Sequence, residues 1–513
     1  MLDNSTKNNT IARNTILLFF RMLIVLGITL YTSRVILNAL GVEDYGIYNV
    51  VAGFVSMFAF LNASLSSTIQ RFYNHSIGSG IINGVSKVYS VSLIVLLILS
   101  FFVTLASEIV GIWFVENKLV LAPERLNAAR WLLQASIISL FFLFLQLPYS
   151  SIIMAKEKMD FFALIGIVDV LLRLGIAFIV SYVDFDRLLL YSWLLTLVAL
   201  VDFFLYSIYA KFKFKDLKFN LVFEKESYLE ILKFSGWSIV NSASQIFKNQ
   251  GLNMILNVFF GPVINAARGI AFQVKSGVMG FVSNILTASR PQIVESYANG
   301  NLIRSKRIIY AISKISYFML LSIALPLCLN IDCVLSLWLG NSVPNMTGTF
   351  TILIILTTLV DILNSPINIV IYADGNIAWF NIVTSILTIL TFPISYLFLY
   401  FGYGPLSVFI VSFCFSILVQ YASMVCLSKV ISEFTVSNYF RKVLIPIIRV
   451  TILSSLISVS INIFMSESLF RLLISILISV VSISIIVYCL GLDNDERQMV
   501  NNMCKNIVRR FKK

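Results

Sequence analysis

The chain has very few of the side chains on which most catalytic and metal sites depend. Its 513 residues include one histidine, His75, and six cysteines, none of them in a CxxC pair. Since zinc sites and catalytic triads are built largely from histidine and cysteine, we expect no metal site and no catalytic residues. A glycine-rich phosphate loop followed by Lys-Ser or Lys-Thr is also missing, which argues against ATP hydrolysis. The sequence therefore predicts a protein that is not an enzyme and that uses no cofactor.

Charged residues are scarce as well. They make up 12% of the chain, whereas hydrophobic residues make up 58%; soluble domains carry about 25% charged residues. The apolar residues form continuous runs, each long enough to cross the roughly 30 Å hydrocarbon core of a bilayer as a helix. Because these runs do not alternate as the strands of a membrane barrel do, the sequence predicts an all-α polytopic membrane protein with about 14 transmembrane helices.

The net charge of +13 could indicate nucleic acid binding, but the positions of the cations favour membrane topology instead. If the N-terminus is cytoplasmic, most Lys and Arg fall in inside loops and in the C-terminal tail. The predicted outside loops hold only Lys118, Arg125, Arg130, Arg187, Arg268 and Arg471. We therefore expect both termini in the cytoplasm, the tail against anionic lipid headgroups, and no nucleic acid partner.

The spacing of the apolar runs repeats along the chain. Runs that begin near 88, 131, 161 and 188 recur near 308, 350, 378 and 405, an offset of about 219 residues. Six helices are an even number, so both copies keep one orientation and predict two six-helix bundles. The predicted domains are an N-terminal bundle (1–210), a basic cytoplasmic linker (211–233), a C-terminal bundle (234–428), two additional transmembrane helices (429–490) and a basic cytoplasmic tail (491–513).

One stretch is apolar enough for a bilayer and yet contains Lys248, Arg268, Lys275 and Arg290 without any carboxylate. A cation at the bilayer centre costs about 3 kcal/mol, so such residues usually face a protein interior or a water-filled cavity. We predict that Lys248, Arg268 and Lys275 line a cavity and bind an anion that crosses the membrane. Arg21 joins them because, by the repeat, the first helix is the counterpart of the seventh. The alternative is that some of these cations snorkel to the interface or pair with a distant carboxylate.

Two further groups of polar residues accompany these cations. Amide side chains recur mainly at three- and four-residue spacings along the seventh helix, which places them along one side. With one residue of the eighth helix, the predicted cavity lining comprises Asn241, Gln245, Asn249, Asn253, Asn257 and Gln273. Hydrogen bonding between packed helices is the alternative for these amides. At the cytoplasmic mouth, Arg71 and Arg290 are predicted to recruit the anionic group.

Acidic residues within the apolar runs are few. Asp169 and Arg173 are four residues apart in the fifth predicted helix and can form an ion pair on one face. We interpret them as a structural pair, with a proton relay as the alternative. Asp202 and Asp361 are expected near helix ends, where interfacial placement explains them, although either could be an ion or proton site.

Three segments carry a family resemblance. They are TSRVILNALGVEDYGIYNVVAGFVSMFAFLNASLSSTIQRFY (32–73), NQGLNMILNVFFGPVINAARGIAFQV (249–274) and SRPQIVESYANG (289–300). They resemble bacterial polysaccharide-biosynthesis membrane proteins, namely the O-antigen (Wzx-type) flippases and their lipopolysaccharide-export relatives. That family belongs to the multidrug/oligosaccharidyl-lipid/polysaccharide exporter superfamily, with the multidrug and toxin extrusion (MATE) transporters and the lipid II flippases. The resemblance runs over nearly the whole chain and rests on loop and hydropathy patterns.

The resemblance implies two six-helix bundles in a V, often with two extra helices. It also implies that the protein moves an undecaprenyl-pyrophosphate-linked oligosaccharide, such as an O-antigen repeat unit, from the cytoplasmic to the periplasmic leaflet of the bacterial inner membrane. The implied partners are this lipid-linked substrate, membrane lipids, a glycan polymerase and glycosyltransferases. No family motif identifies the cations that bind the pyrophosphate, so that assignment comes from the residues above.

Two other functions stay open. An ion-coupled small-molecule or multidrug exporter of the same fold would favour acidic residues in its cavity, whereas this sequence places bases there. A non-transporting scaffold for glycan-polymerising enzymes would leave the intramembrane cations without a role.

Overall fold

The computed structural model describes residues 2–78, 84–156, 158–221, 225–375, 378–466, 468–493 and 496–498. These residues form helices joined by short turns, and no strand occurs among them. The helices are α1 (Leu2–Ser56), α2 (Phe60–Gly78), α3 (Gly84–Asn117), α4 (Leu126–Ala155), α5 (Met159–Tyr182), α6 (Arg187–Lys213), α7 (Lys225–Phe260), α8 (Pro262–Ala298), α9 (Leu302–Leu329), α10 (Ile331–Leu339), α11 (Thr347–Asp374), α12 (Ala378–Tyr400), α13 (Leu406–Val430), α14 (Val436–Tyr439), α15 (Ile445–Phe464) and α16 (Leu469–Ile486). A π-helical turn, Phe440–Leu444, joins α14 to α15, and another, Val487–Gly491, follows α16.

Most of these helices suit a bilayer. Within the described residues, 11 segments are long and apolar enough to cross a membrane, from Arg21–Ser56 to Leu469–Gly491. Helices α7 and α8, with 36 and 37 residues, are also long enough. Apolar runs become helices here because hydrocarbon offers no water to satisfy backbone groups outside a helix. The expected all-α polytopic membrane protein is confirmed.

The first helix contains a break that the sequence pattern places between two predicted helices, 15–38 and 47–69. Gly41 has a φ of 79°, a left-handed conformation that favours glycine because it has no Cβ. The helix resumes at once and continues to Ser56. Just beyond the break, Asp44 forms an ion pair with Arg125 at 2.9 Å. Arg125 also forms an ion pair with Asp186 at 3.0 Å. These ion pairs attach the break to the first turns of α4 and α6.

Contacts divide the chain into two compact units. The first comprises Met1–Gly269, Asn341–Met346 and Thr388–Val408, and the second comprises Ile270–Gly340, Thr347–Leu387 and Phe409–Lys513. In the first unit, α4 packs along α6, and α1 packs along α5. In the second unit, α9 packs against α11, α15 and α16. The predicted division into bundles 1–210 and 234–428 stays a prediction.

The predicted basic linker, 211–233, spans the last turn of α6, which ends at Lys213, and the first turns of α7, which begins at Lys225. Part of the connection packs on the first turns of α3. The hydroxyl of Ser86 donates to the carbonyl of Lys218 at 2.5 Å, and the backbone N–H of Asn220 donates to Ser90 at 2.9 Å. The connection is therefore held by backbone hydrogen bonds, which a plain linker between helices also explains.

The last two long helices, α15 and α16, and the residues that follow them are attached to α9 by polar contacts. Near the middle of α9, the fully buried Lys314 donates to Glu496 at 2.5 Å and lies 3.6 Å from Asp493, both beyond α16. Just after the end of α9, the Asn330 side chain accepts a 3.1 Å hydrogen bond from Arg471 of α16. Asn330 in turn donates to Ser475 at 2.9 Å. These two helices therefore form an integral part of the second unit.

Candidate functional site

The end of α7 and the start of α8 form a tight hairpin that gathers three asparagines. Gly261 adopts a φ of 77°, and Pro262 opens α8, where its missing N–H costs nothing. The hairpin folds Asn265 back onto α7. Asn265 donates to the side-chain and backbone oxygens of Asn253 at 2.9 and 2.6 Å, and Asn257 donates to Asn265 at 3.0 Å. All three side chains are buried, so their amides satisfy one another away from water.

The same amides also bind α1. Asn253 donates to the backbone carbonyl of Asn49 at 2.9 Å, and Gln250 donates to the hydroxyl of Ser56 at 2.9 Å. We name the set Asn49, Gln250, Asn253, Asn257 and Asn265 the amide junction. Hydrogen bonds between membrane helices contribute about 0.6 kcal/mol each on average. The junction therefore holds α1, α7 and α8 together through several modest contacts.

Glycines let these helices approach closely. A Cβ at position 46 would collide with the backbone carbonyl of Pro262. A Cβ at position 53 would lie 2.8 Å from Gln250, and one at position 269 would lie 2.6 Å from Asn49. Small residues at such crossings allow backbones to pack tightly, as in other membrane helix pairs.

Arg268 lies one turn beyond Asn265 and is buried, with 7% of its surface exposed. Its Nη2 donates a 2.7 Å hydrogen bond to the backbone carbonyl of Asn249 on α7. This hydrogen bond fixes the orientation of the guanidinium. The structure thus brings Arg268, Asn249, Asn253 and Asn257 together, four of the residues that the sequence selects.

Arg21 lies elsewhere in the first unit, against α5. Its guanidinium carbon is 4.8 Å from the ring centre of Phe162, a cation–π distance. A Cβ at Gly166 would overlap the guanidinium, so the glycine makes the space that Arg21 fills. The Nε of Arg21 is buried and has no hydrogen-bond partner among the described residues. This cation therefore lies inside the unit, and its Nε–H group makes no hydrogen bond with the described residues.

The two predicted lysines lie on different units and are both half-buried. Lys248 is on α7 in the first unit, one turn beyond Gln245, which is exposed and donates to Thr388 at 3.5 Å. Lys275 is on α8 in the second unit, and its Nζ lies 5.5 Å from the ring centre of Phe272. The half-buried state fits long side chains whose stems pack on apolar surface while the ammonium groups reach polar surroundings.

The remaining predicted residues are scattered. Arg71 on α2 and Arg290 on α8 are exposed, as a recruiting role requires. Gln273 is half-buried on α8 in the second unit. The side chain of Asn241 lies outside the described residues, although its backbone belongs to α7. The amides nearest the hairpin make interhelical hydrogen bonds, which is the alternative that the sequence pattern leaves open.

Sequence reasoning missed Asn265, Gln250 and Asn49. Asn265 could have been found from the turn, because Asn257 and Asn265 stand symmetrically about Gly261 and a hairpin must bring them together. Gln250 lies on the same helix as the predicted stripe of amides but on a different side of that helix. For Asn49, the spacing of Gly46 and Gly53 on either side was the available signal, since two small residues seven apart mark a close helix crossing.

The predicted ion pair between Asp169 and Arg173 is present, with the Nε of Arg173 2.8 Å from Asp169. The expectation that Asp202 lies near a helix end is wrong. Asp202 stands well inside α6, which continues to Lys213, and one of its carboxylate oxygens is buried. The same expectation is wrong for Asp361, which stands near the middle of α11.

Comparisons with known proteins show the fold but no family. No protein-family model matches the chain, and no curated protein matches it. Among solved structures, the chain is similar to a lipid II flippase, MurJ, in an inward closed conformation, with a TM-score of 0.69 and 16% identity over 93% of this chain and 98% of that one.

Two MATE transporters share the fold as well. An inward-facing multidrug resistance MATE family transporter has a TM-score of 0.62 and 16% identity, over 81% of this chain and 100% of that one. The eukaryotic MATE transporter AtDTX14 has a TM-score of 0.54 and 14% identity, over 86% of this chain and 98% of that one. The chain therefore has the fold that this flippase and these transporters share.

Proposed function

We propose that the protein is a flippase that moves an undecaprenyl-pyrophosphate-linked oligosaccharide, such as an O-antigen repeat unit, from the cytoplasmic to the periplasmic leaflet by alternating access. The observation that carries this proposal is the buried, oriented guanidinium of Arg268 at the α7–α8 hairpin. A pyrophosphate is an anion with several acceptor oxygens, and arginine binds such groups through charge-assisted, bidentate contacts. A cation at the bilayer centre costs about 3 kcal/mol, so cations within membrane helices usually face a protein interior or a water-filled path.

The other cations would contact the pyrophosphate headgroup of the substrate along its route through the protein. Arg71 and Arg290 are exposed and would capture the pyrophosphate at the cytoplasmic side. Arg21, Lys248 and Lys275 would contact it during passage, each from a half-buried position. The amides of the seventh helix and Gln273 would bind sugar hydroxyls, and the lipid tail would stay in the bilayer. The bacterial inner membrane, with both termini in the cytoplasm, is the location that this route requires.

The shared fold supports a lipid-linked substrate without identifying it. The flippase among the structural neighbours acts, by its name, on lipid II. A glycan polymerase and glycosyltransferases would be natural partners, since they supply and consume such a substrate.

A second function, ion-coupled export of small molecules, is supported by the multidrug resistance transporter of the same fold. The two functions differ in the charge that the path must accept. Arginine and lysine favour an anionic cargo, whereas a cationic drug would be repelled by Arg268 and Lys275. The cations therefore favour the flippase.

A deletion strain tests the choice between them. The gene would be deleted in its host, and surface polysaccharide and lipid-linked oligosaccharide would be followed with leaflet resolution. We expect loss of surface polymer and repeat units trapped in the cytoplasmic leaflet. Complementation with Lys248→Ala, Arg268→Ala or Lys275→Ala should restore less polymer than wild type at equal expression. Normal surface polymer with altered drug or metabolite export, in a host without a second flippase, would favour the exporter.

A further inference from the structure

The segment that joins α6 to α7 presents positive charge and apolar side chains side by side. We name residues 211–221 the cytoplasmic strap; it begins in the last turn of α6 and continues as an irregular chain. Four lysines and one aspartate, Asp216, give the strap a net charge of +3. All four lysines are exposed, namely Lys211, Lys213, Lys215 and Lys218.

Hydrogen bonds and one buried ring hold the strap in place against the first unit. The hydroxyl of Ser86 on α3 donates to the carbonyl of Lys218 at 2.5 Å, and the backbone N–H of Asn220 donates to Ser90 at 2.9 Å. The side chain of Phe214 is buried. Because these contacts use backbone groups and a single ring, the ammonium groups of the strap are left exposed at a fixed position.

The contacts with α3 also define the depth of the strap in a membrane. Ser90 is the seventh residue of α3, and the apolar run of this helix begins near residue 88. Two residues correspond to about 3 Å along a helix, so Asn220 lies close to the start of the apolar run. The strap also follows directly on the apolar run of α6, which ends near residue 210. The strap therefore lies at the predicted cytoplasmic boundary of the hydrocarbon core, where lipid headgroups are found.

Large apolar side chains stand between the lysines and are poorly covered by the protein. Phe212 is 84% exposed, Leu221 is 66% exposed and Phe219 is 49% exposed. Among the described residues, the last three lysines of the strap form no ion pair. A soluble anion or a nucleic acid would satisfy the lysines and leave the apolar side chains in water. An anionic lipid surface satisfies both, since it offers phosphates beside hydrocarbon.

We propose that the cytoplasmic strap is a binding site for anionic phospholipids of the cytoplasmic leaflet. Its lysines contact the headgroup phosphates, and Phe212, Phe219 and Leu221 insert among the upper parts of the acyl chains. The bound lipids hold the end of α6 and the first turns of α3 at one depth in the membrane. The strap contains none of the cations assigned to the pyrophosphate route, so this site does not depend on the proposed function.

Spin-labelled lipids test the site on the purified full-length protein in bilayers. The electron spin resonance spectrum separates lipids held at the protein surface from mobile lipids, and it is recorded once with labelled phosphatidylglycerol and once with labelled phosphatidylcholine. We expect wild type to hold phosphatidylglycerol about fivefold more strongly than phosphatidylcholine. The preference should fall below about twofold when the strap loses its four positive charges. That strap variant combines Lys211→Gln, Lys213→Gln, Lys215→Gln and Lys218→Gln.

A matched control removes the same charge from other parts of the predicted cytoplasmic face. It replaces four exposed cations outside the strap with glutamine, and it should keep most of the preference. The control variant combines Arg304→Gln, Lys429→Gln, Arg441→Gln and Lys442→Gln. In wild type, the preference should also weaken as salt is raised, because salt screens exposed charges.

A second pair of variants tests whether the position of the strap matters. Ser90→Ala removes the acceptor of the Asn220 N–H and changes no charge. Ser92→Ala is the control, because the Ser92 hydroxyl donates within α3 to the carbonyl of Tyr89 at 3.0 Å. We expect Ser90→Ala to lower the preference for phosphatidylglycerol and Ser92→Ala to leave it unchanged.

Three results would overturn the proposal. Equal retention of the two lipids by wild type would leave the strap as a plain linker or as a contact for another protein. Equal losses in the strap variant and the matched control would show that binding follows total charge. If the thermal midpoint shows that the strap variant is not folded, a wild-type preference that persists unchanged at high salt would decide against the lysines. Because lipid retention is the readout, absence of oligosaccharide transport would bear only on the proposed function.

Discussion

At the residue scale, Arg268 is the side chain on which the proposed function depends most. It is buried, its guanidinium donates a hydrogen bond to the backbone carbonyl of Asn249, and it stands beside the amide junction. Because glutamine can donate to that carbonyl without a charge, Arg268→Gln separates the hydrogen bond from the cation. Arg268→Lys keeps the charge and loses the planar, bidentate geometry.

We expect Arg268→Gln to fold and to lose transport. A charge-assisted hydrogen bond contributes about 1.5–3 kcal/mol, so transport should fall about ten- to a hundredfold. Arg268→Lys should fall between wild type and Arg268→Gln. The measurement is initial transport rate in liposomes at equal protein content, with the thermal midpoint as the check on folding. Full activity in Arg268→Gln would show that the cation does not contact the substrate.

Lys275 offers a matched comparison of two cation–π lysines. Its Nζ lies 5.5 Å from the ring centre of Phe272, and the Nζ of Lys429 lies 5.6 Å from that of Trp379. Only Lys275 is assigned to the path. We expect Lys275→Gln to reduce transport about tenfold, equivalent to about 1.4 kcal/mol, while Lys429→Gln stays within twofold of wild type. Equal losses in both variants would indicate a general effect of removing a cation–π contact.

Whether a contact between two residues could be predicted depended on how far apart they are along the sequence. The ion pair between Asp169 and Arg173 was predictable because four residues make one helical turn. Asn257 and Asn265 are separated by a turn, and the pattern of apolar residues does not show in which direction that turn folds the chain. Lys314 and Glu496 are far apart in sequence, and nothing in the local pattern of either residue indicates the other. The missing information is in each case which helices become neighbours.

At the element scale, the crossing of α1 with the α7–α8 hairpin can be tested through its closest contact. A Cβ at Gly46 would collide with the backbone of Pro262, whereas a Cβ at Gly27, also on α1, would meet nothing within 4 Å. Gly46→Ala should therefore destabilise the protein by about 1–3 kcal/mol through overpacking. Gly27→Ala should be neutral or stabilising by up to about 1 kcal/mol, because alanine favours helix.

The comparison is made by thermal unfolding of the two purified variants beside wild type. A lower thermal midpoint in Gly46→Ala alone is the expected result. Equal midpoints in both variants would mean that the crossing adjusts without cost. Because the amide junction joins the same three helices, transport by Gly46→Ala should be measured on the same samples.

The attachment of α15 and α16 to α9 gives a second prediction at this scale. Lys314 is fully buried and pairs with Glu496 at 2.5 Å, whereas Lys306, also on α9, reaches Glu433 at 3.9 Å near the surface. Removing one partner of a buried pair costs about 3–5 kcal/mol, and a surface pair contributes about 0–1 kcal/mol. We expect Lys314→Met to lower the thermal midpoint far more than Lys306→Met.

A double variant identifies the cause of that loss. Lys314→Met with Glu496→Gln removes both charges, so part of the stability lost in Lys314→Met should return. No recovery would show that Lys314 contributes through packing rather than through the ion pair. The sequence pattern gave no role for α15 and α16, because hydrophobicity shows that a segment is a membrane helix but not which helix it packs against.

The helices themselves were the most predictable elements. Apolar runs of sufficient length must be helical in a bilayer, so their number and type follow from hydrophobicity alone. The boundary between the first two predicted helices coincides with Gly41, but the helix resumes directly and extends to Ser56. Residues 225–233 of the predicted linker are helical although their composition is polar enough for a loop. Polarity marks where a helix leaves the membrane, not where it ends.

At the scale of the whole molecule, the orientation rests on the distribution of lysine and arginine. Single cysteines at two exposed positions test it, in a background from which the six native cysteines have been removed. Asn117→Cys lies at the end of α3, on the predicted outside, and Asp216→Cys lies between α6 and α7, on the predicted inside. We expect an impermeant maleimide to label position 117 in intact cells and position 216 only after permeabilisation. The reverse pattern would invert the topology and with it the direction of transport.

The class of protein could be predicted from the sequence, but its substrate could not. Composition predicts a helical membrane protein, and the shared fold agrees with a flippase and with drug transporters alike. In our proposal, what separates these functions is the charge of a few side chains along the path. Their contacts arise from packing between distant helices, which hydrophobicity does not specify.

Reconstituted transport tests the central claim most directly. Purified protein would be placed in liposomes that carry an undecaprenyl-pyrophosphate-linked oligosaccharide, and a membrane-impermeant glycosidase would report the leaflet that the sugar occupies. The account predicts that wild-type protein moves the sugar between leaflets at least tenfold faster than protein-free liposomes or liposomes with Arg268→Gln. Equal rates in all three samples would contradict it.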